Sequence, residues 1–225
     1  MSAHDATKAR ILEAAGAEFA EKGFELSRIR TICEKAGANV AAANYHFGDK
    51  KQLYIATVLE AHRCGGGNEL PNLRSELDAA VQLRAYIYQF LTNVLALSKN
   101  DTWQSALMLR EMLRPTEACA VLVEQSIRPR FEYLQSIIRK ACPEVDGQKL
   151  NAICFSVIGQ CLHYKMAKQV AERLIGREAF EALGVDYLTD HISSFCLAAL
   201  GLEPPLGHDS RPWTEVEVSE DLTVI

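Results

Sequence analysis

Apolar residues recur at helical spacing through nearly the whole chain, and the sustained two-residue alternation of a strand is almost absent. This pattern predicts an all-α fold. The first predicted helix runs from about Ala6 to Lys22 and ends at Gly23. Its apolar face carries Ile11, Leu12, Ala15, Phe19 and Ala20.

Three short elements follow the first helix closely. Ser27 is the predicted N-cap of a second helix that continues through about Ala36 and ends at Gly37. A very short third helix spans Ala41 to Phe47, and Asp49 is placed to cap a fourth.

The rest of the chain is predicted to form longer helices. The helices over residues 102–113 and 151–166 are apolar on nearly all sides, so burial is expected for both. The other predicted helices cover residues 77–97, residues 116–141 with a kink or split at Pro129, and residues from about 186 to a stop at Gly201.

The clearest break in composition is "CGGGNELPNL", residues 64–73. It indicates a hinge between two domains or, as an alternative, a helix end with a loose turn. We therefore predict a helix-turn-helix domain over residues 1–64, a larger helical domain over 65–201, and an acidic mobile tail over 202–225 in which Trp213 could dock.

Residues 27–47 combine a helix, a four-residue turn opened by glycine, and a second helix. This order is typical of the helix-turn-helix motif, in which the second helix enters the DNA major groove. Its exposed side chains must then be small or able to read base edges. Ala41 and Ala42 are small, and Asn39 and Asn44 could pair with adenine. Inward positions are predicted for Ala43 and Phe47.

Composition narrows the class of protein. The chain has 225 residues, 48% of them hydrophobic, which suits one large or two small domains with a sizeable core. No apolar run reaches membrane-helix length and no signal peptide is evident, so we expect a cytoplasmic protein without membrane contact. Seven scattered cysteines without a C-x-x-C pair predict reduced thiols, with no disulfide framework and no metal site. No cofactor is predicted.

Charge is distributed unevenly. The net charge is −5, yet residues 1–64 carry nine basic and eight acidic residues against 15 and 21 in the remainder. The N-terminal quarter therefore repels a polyanion least.

Residues 8–54 resemble the DNA-binding domain of TetR-family transcriptional regulators. The resemblance rests on Gly23-Phe24, Ala36-Gly37, Tyr45-His46-Phe47, Lys50 and Leu53 at fixed offsets. More weakly, residues 109–118, 127–138 and 158–167 resemble the C-terminal domain of the CecR-like subgroup.

This resemblance implies a homodimer that binds a palindromic operator in double-stranded DNA, usually as a repressor, and leaves it when a small-molecule effector enters the C-terminal domain. By matching position, the bases would face Val40, Ala41, Ala42 and Asn44, and the phosphates would be held by Tyr45, His46 and Lys50. Asn44 departs from the aromatic residue of many relatives, so base readout would differ.

Two further residues are assigned from their position at the start of the second helix. Ser27 and Arg28 are placed to hold a phosphate. For His46, the alternative to a phosphate contact is an ordinary surface histidine. A catalytic role would need a partner at a telling spacing, and because none is nearby we do not expect an enzyme.

In the second domain, the helix over 151–166 must bury two faces, one on its own domain and one on a partner copy. With the helix over 186–200 it would form a four-helix dimer seam, in which Gly159 permits close approach. Ser156, Gln160 and His163 form one polar stripe, either across the seam or beside a pocket.

The predicted ligand site lies between the helices that carry Trp103, Leu107, Arg110, Phe131 and Phe155. Arg110 lies on the same helix face as Trp103 and Leu107, so we expect it to be partly buried. A buried guanidinium needs an anionic partner, either a protein acid such as Glu111 or a ligand carboxylate.

Three alternatives stay open. Cys154 and Cys161 lie seven residues apart on one helix face, so a redox-sensing regulator is conceivable beside plain burial of the thiols. An all-α enzyme could use Arg110, His163 and a cysteine. A pure interaction module is the third alternative.

Overall fold

The computed structural model of the protein describes residues 3–64, 77–96 and 102–204, and within these ranges the chain is helical without a strand. The predicted loop beyond Cys64 and the tail beyond residue 204 lie outside the described residues. The helices are α1 (Ala3–Leu26), α2 (Ile29–Ala36), α3 (Val40–Phe47), α4 (Lys50–Cys64), α5 (Ala79–Ala96), α6 (Trp103–Leu113), α7 (Glu117–Leu122), α8 (Arg128–Ala141), α9 (Gly147–Met166), α10 (Lys168–Ile175), α11 (Arg177–Glu181) and α12 (Val185–Ala199).

The chain divides into two compact units. The first contains α1 to α4 together with α6 and α7, and the second contains α5 and α8 to α12. This division differs from the sequence-based boundary at residue 64, because α6 and α7 pack with the N-terminal helices. The apolar pattern defines the inner face of a helix but not the unit whose core that face joins.

The first unit is held by a core that all six of its helices share. Ile11, Phe19, Ile32, Leu53 and Leu107 are among its fully buried side chains. α1 is interrupted at Gly23, where φ is 75°, a conformation that side chains with a Cβ rarely adopt. The predicted end of the first helix at Gly23 is thus confirmed as a break, although helical structure resumes for three residues beyond it.

A buried carboxylate ties α1 to α2. Glu18 is almost wholly buried and accepts hydrogen bonds from the ammonium groups of Lys22 and Lys35, each at 2.7 Å. Lys22, followed by Lys35, holds the pKa of Glu18 below its ordinary value of 4.5. Since Lys35 belongs to α2, this pair of ion contacts orients the first helix of the helix-turn-helix against α1.

α6 is seated on α1 at two glycines. The indole of Trp103 lies where a Cβ of residue 16 would stand, and the guanidinium of Arg110 lies where a Cβ of residue 23 would stand. Arg110 Nη1 also donates to the carbonyl oxygen of Ala20 at 3.3 Å. A cation at this end of a helix complements the partial negative charge of the terminal carbonyls.

Glu111 connects α6 to α4 through a second buried carboxylate. It accepts hydrogen bonds from the Tyr54 hydroxyl at 2.7 Å and from the Thr116 amide and hydroxyl at 2.6 and 2.8 Å. Burial, and then the contact with Glu111, raise the pKa of Tyr54 well above its ordinary value. The sequence-based pairing of Arg110 with Glu111 is therefore wrong, since Glu111 turns towards Tyr54 and Thr116.

The predicted split near Pro129 is confirmed, and a π-helical segment, Val123–Ile127, accounts for it. Proline has no amide hydrogen to donate and its ring crowds the preceding turn, so a wider turn before Pro129 relieves both problems. The boundary between the two units falls directly after this residue.

The second unit packs α5, α8, α9 and α12 around its own core. Leu83, Ile87, Leu134, Ile138 and Leu188 are among the buried side chains there. Arg84 of α5 forms ion pairs with Asp190 of α12 and with Glu203. No helix among the described residues is long and apolar enough to cross a membrane.

Two further predictions fail in detail. Ser27 does not cap α2: the N-cap is Arg28, and the buried hydroxyl of Ser27 donates to the carbonyl oxygens of Gly23 and Glu18. α6 is not buried on all sides, since Leu109, Met112 and Leu113 are exposed. Asp49 does cap α4, because its carboxylate accepts from the Gln52 amide at 2.8 Å.

We expect Glu18→Gln to lower the Tm at neutral pH by about 2–4 °C, the shift that about 1 kcal/mol produces in a chain of this size. A carboxyl with a lowered pKa contributes stability above its unfolded pKa and loses that contribution as pH falls through its folded pKa. The Tm difference should therefore narrow below about pH 4. Calorimetry across this pH range measures the difference in Tm between the two proteins. Glu21→Gln removes an exposed carboxylate from the same helix and is the control; equal effects of both substitutions would contradict the role of Glu18.

We expect Gly16→Ala to destabilise the first unit by about 1–3 kcal/mol, because the new methyl group overlaps the indole of Trp103. Urea unfolding followed by tryptophan fluorescence measures this change. The matched control is Gly147→Ala at the start of α9, where a Cβ meets no atom within 4 Å; there alanine should be neutral or slightly stabilising. A neutral Gly16→Ala would show that α6 is not seated through this contact.

Candidate nucleic-acid interface

The turn between α2 and α3 is fixed by one glycine and one asparagine. Gly37 adopts the left-handed conformation, with φ 60° and ψ 38°, and its amide closes the end of α2. The side chain of Asn39 then accepts a hydrogen bond from the Ala42 amide at 2.7 Å and caps α3. Asn39 therefore has a structural role that the sequence interpretation, which assigned it to adenine, missed; an asparagine directly before an apolar run was the available signal.

α3 presents one apolar face to the core and one small, polar face outward. Ala43 and Phe47 are buried, as predicted. The opposite side exposes Val40, Ala41, Asn44 and Tyr45, with Tyr45 77% exposed. Ala42 and His46 are partly exposed. Six of the nine residues predicted to contact DNA thus lie along one short helix.

The remaining three of these residues differ in their surroundings. Arg28 is exposed at the start of α2. The ammonium of Lys50 lies 4.7 Å from the ring centre of Phe24 and donates to the carbonyl oxygen of Glu25 at 3.2 Å. Ser27 is only 2% exposed. Its hydroxyl is used inside the unit, and its contact with a phosphate stays a prediction.

Several basic side chains of the first unit are occupied by acids. Lys22 and Lys35 bind Glu18, Lys51 binds Glu117 of α7, and Arg63 binds Glu60. Arg28 and Lys50 are not in these pairs.

The residues predicted to bind a ligand fall into both units. Trp103, Leu107 and Arg110 belong to the first unit, where they pack against α1 and its surroundings. Phe131 and Phe155 belong to the second unit and contact each other, with ring centres 5.2 Å apart. The predicted ligand-binding residues therefore form two separate groups, three in the first unit and two in the second.

The second unit exposes apolar side chains on two neighbouring helices. α9 buries Leu150, Cys154, Val157 and Cys161, and its opposite side exposes Phe155 at 64% together with Ser156, Gly159 and His163. Of the predicted polar stripe, Gln160 instead turns partly inward, and its amide lies 3.5 Å from the sulfur of Cys196. α12 exposes Tyr187 and Phe195 at 59% and 49%.

Three thiols of the second unit, those of Cys154, Cys161 and Cys196, are buried. Burial raises the pKa of Cys154 to about 11, that of Cys161 to about 12 and that of Cys196 to about 11. The thiolate is the reactive form of cysteine, so these side chains are poorly suited to react with oxidants near neutral pH.

Two protein families match the chain, one in each part. The family described as "Bacterial regulatory proteins, tetR family" matches residues 11–57. The C-terminal domain of the HTH-type transcriptional dual regulator CecR matches residues 79–200. Together these matches cover most of the residues that the structure describes.

Two relatives extend the comparison. The chain is 29% identical over 185 residues to the HTH-type transcriptional dual regulator CecR of Shigella flexneri, which covers 77% of this chain and 82% of that protein. It is 48% identical over 62 residues to the HTH-type transcriptional repressor SCO4008 of Streptomyces coelicolor, covering 27% of this chain and 32% of that protein.

Solved structures share the fold. HlyIIR, a hemolysin II transcriptional regulator, is 25% identical, covers 80% of this chain and 98% of its own, and superposes with a TM-score of 0.56. A TetR-like regulator from Rhodococcus sp. RHA1 is 20% identical, covers 87% of this chain and 96% of its own, and gives a TM-score of 0.54.

These relatives are regulators of transcription and not enzymes. The two family matches span the helix-turn-helix, with its capped α3, and the helices α5 to α12. The chain therefore belongs to the TetR family of DNA-binding transcriptional regulators and is of the CecR-like type.

Proposed function

We propose that the protein is a homodimeric repressor that binds a palindromic operator and is released from it by a small-molecule effector. The observation that carries the proposal is α3, a capped helix with a buried apolar face and an outward face of small and amide side chains. In the cytoplasm, where the operator DNA would be, this helix would lie in the major groove.

The roles within the interface follow from exposure and chemistry. Val40, Ala41 and Ala42 are small enough for close approach and suit contact with thymine methyl groups, and Asn44 can pair with adenine. Tyr45, His46, Lys50 and Arg28 surround this surface and suit phosphate contacts. Because Phe24 and the Glu25 carbonyl hold Lys50 in place, its ammonium is preorganised for a phosphate.

Dimerisation is supported by the exposed apolar faces of α9 and α12. Side chains such as Phe155 and Phe195 are unusual on the surface of a monomer, and two such helices from each copy would form a four-helix seam. Gly159 lies on this face, and a Cβ there meets no atom of its own chain within 4 Å. The two-fold symmetry of such a dimer matches a palindromic operator.

The effector is proposed to enter the second unit, as family members of this type suggest. The contact between Phe131 and Phe155 is the part of the predicted ligand set that lies in that unit. Trp103, Leu107 and Arg110 are better explained as the contacts that seat α6 on α1. Release requires that the effector prefer the dimer conformation that cannot bind DNA.

The redox alternative has less support than effector release. Its thiols, Cys154 and Cys161, are buried and carry raised pKa values. A thiol switch usually needs an accessible cysteine with a lowered pKa.

The decisive experiment selects bound sequences from a random DNA duplex pool and uses the recovered motif in gel shifts. We expect a palindrome with half-sites about one helical turn apart. Lys50→Ala should weaken binding to all sequences alike and reduce by about one the slope of log affinity against log salt concentration. Asn44→Ala should instead change the preferred base, with a loss of about 1–3 kcal/mol of discrimination at that position. Arg63→Ala, at the far end of α4, is the basic control. Recovery of no motif at low salt would overturn the proposal, and so would identical profiles for Lys50→Ala and Asn44→Ala.

We expect Phe195→Glu to dissociate the dimer, because a charge replaces an exposed apolar side chain on α12, one of the two helices of the proposed seam. Operator affinity should fall with it, since each monomer then reads one half-site alone. Sedimentation equilibrium and gel shifts measure the two effects. Phe195 is half exposed in the single chain, so the monomer should keep its fold by circular dichroism. A dimeric Phe195→Glu variant would contradict this seam.

A further inference from the structure

α10 and α11 form a helical pair without a buried side chain. The two helices have eight and five residues, and none of these residues is buried. Within the part of the chain that the structure describes, α10 packs chiefly on α9 and α11, its neighbours in sequence. Within the described residues, the pair therefore leaves its apolar side chains open to a further surface.

The outward face of α10 is apolar. Val170, Leu174 and Ile175 are all exposed, and Leu174 at 78% is among the most exposed large apolar side chains of the described residues. Covering Leu174 in an interface would remove a large apolar side chain from water. α10 also keeps charged side chains, among them Arg173, which is exposed beside Leu174.

This face continues the exposed stripe of α9. On α9 the exposed positions recur at residues 152, 155, 159, 163 and 166, and the same spacing leads to residues 170 and 174 on α10. Ala167 joins the two helices with a non-helical backbone, φ −94° and ψ 7°, and two hydrogen bonds bridge the junction: the Ala167 amide donates to the His163 carbonyl and the Ala171 amide to the Ala167 carbonyl, both at 2.8 Å. A mainly apolar face, with His163 as a polar member, therefore leads from the proposed seam to α10.

We propose that residues 168–181 form an arm that packs on the second copy of the chain and extends the dimer interface beyond α9 and α12. The proposal rests on the homodimer of the preceding subsection. A stripe that enters a two-fold seam on α9 meets the other copy, and its continuation on α10 has the same spacing and the same apolar character. By symmetry each copy would contribute one arm, so every contact of the arm occurs twice per dimer.

The first test compares the dimer Kd of the full chain with that of Leu174→Gln by sedimentation equilibrium. We expect the substitution to raise Kd at least about tenfold, since two leucines leave the interface. Arg173→Gln, the adjacent exposed residue, is the matched control and should change Kd less than about twofold. An unchanged Kd for Leu174→Gln would overturn the arm.

The second test follows amide hydrogen exchange of residues 168–175 in the full chain well above and well below its dimer Kd. We expect exchange in α10 to be at least about tenfold slower in the dimer, because the arm is held only there. Equal protection in monomer and dimer would mean that dimerisation does not cover α10, and the proposal would be wrong.

Phe195→Glu distinguishes a failure of the proposed homodimer from a failure of the proposed arm. If the full chain is a monomer at every concentration, the homodimer itself fails and the arm fails with it. If the full chain is a dimer that Phe195→Glu dissociates, while Leu174→Gln keeps the Kd of the full chain, the seam stands and the arm alone is refuted.

Discussion

The seating of α6 on α1 and α4 is the constraint on which the first unit depends. A short helix-turn-helix has little core of its own, and here Leu107 adds to that core while Trp103 and Arg110 occupy the space left by two glycines of α1. The buried carboxylate of Glu111 then joins α6 to Tyr54 of α4. Because a buried carboxylate without hydrogen bonds is strongly unfavourable, this contact fixes the rotation of α6 as well as its position.

The recognition surface is a consequence of this framework. α3 has eight residues, too few to be stable alone, and it persists because Asn39 caps it and because Ala43 and Phe47 are buried against the other helices. Glu18 holds α2, and α2 with its Gly37 turn sets the start of α3. The proposed base readout by the opposite face would therefore depend on side chains inside the unit, such as Glu18 and Phe47.

The second unit exposes apolar surface on several of its helices. α9, α10 and α12 each bear large side chains that a monomer would leave in water, including Phe155, Leu174 and Tyr187. We propose that a second copy of the chain covers this surface. The two-fold symmetry of the proposed dimer would supply two copies of α3, as a palindromic operator requires.

The sequence by itself determined the all-α class, the helix-turn-helix, the inward face of α3 and the breaks at Gly23, Gly37 and Pro129, because these features arise from local periodicity and from residues with special backbone properties. It did not reveal that Ser27 is buried or that α6 joins the first unit. Those features depend on contacts between residues far apart in sequence, such as Tyr54 with Glu111 and Ala20 with Arg110, 57 and 90 positions apart. Periodicity reports which face of a helix turns inward, but only the tertiary structure decides which partner meets it, since that choice depends on the fit of particular side chains.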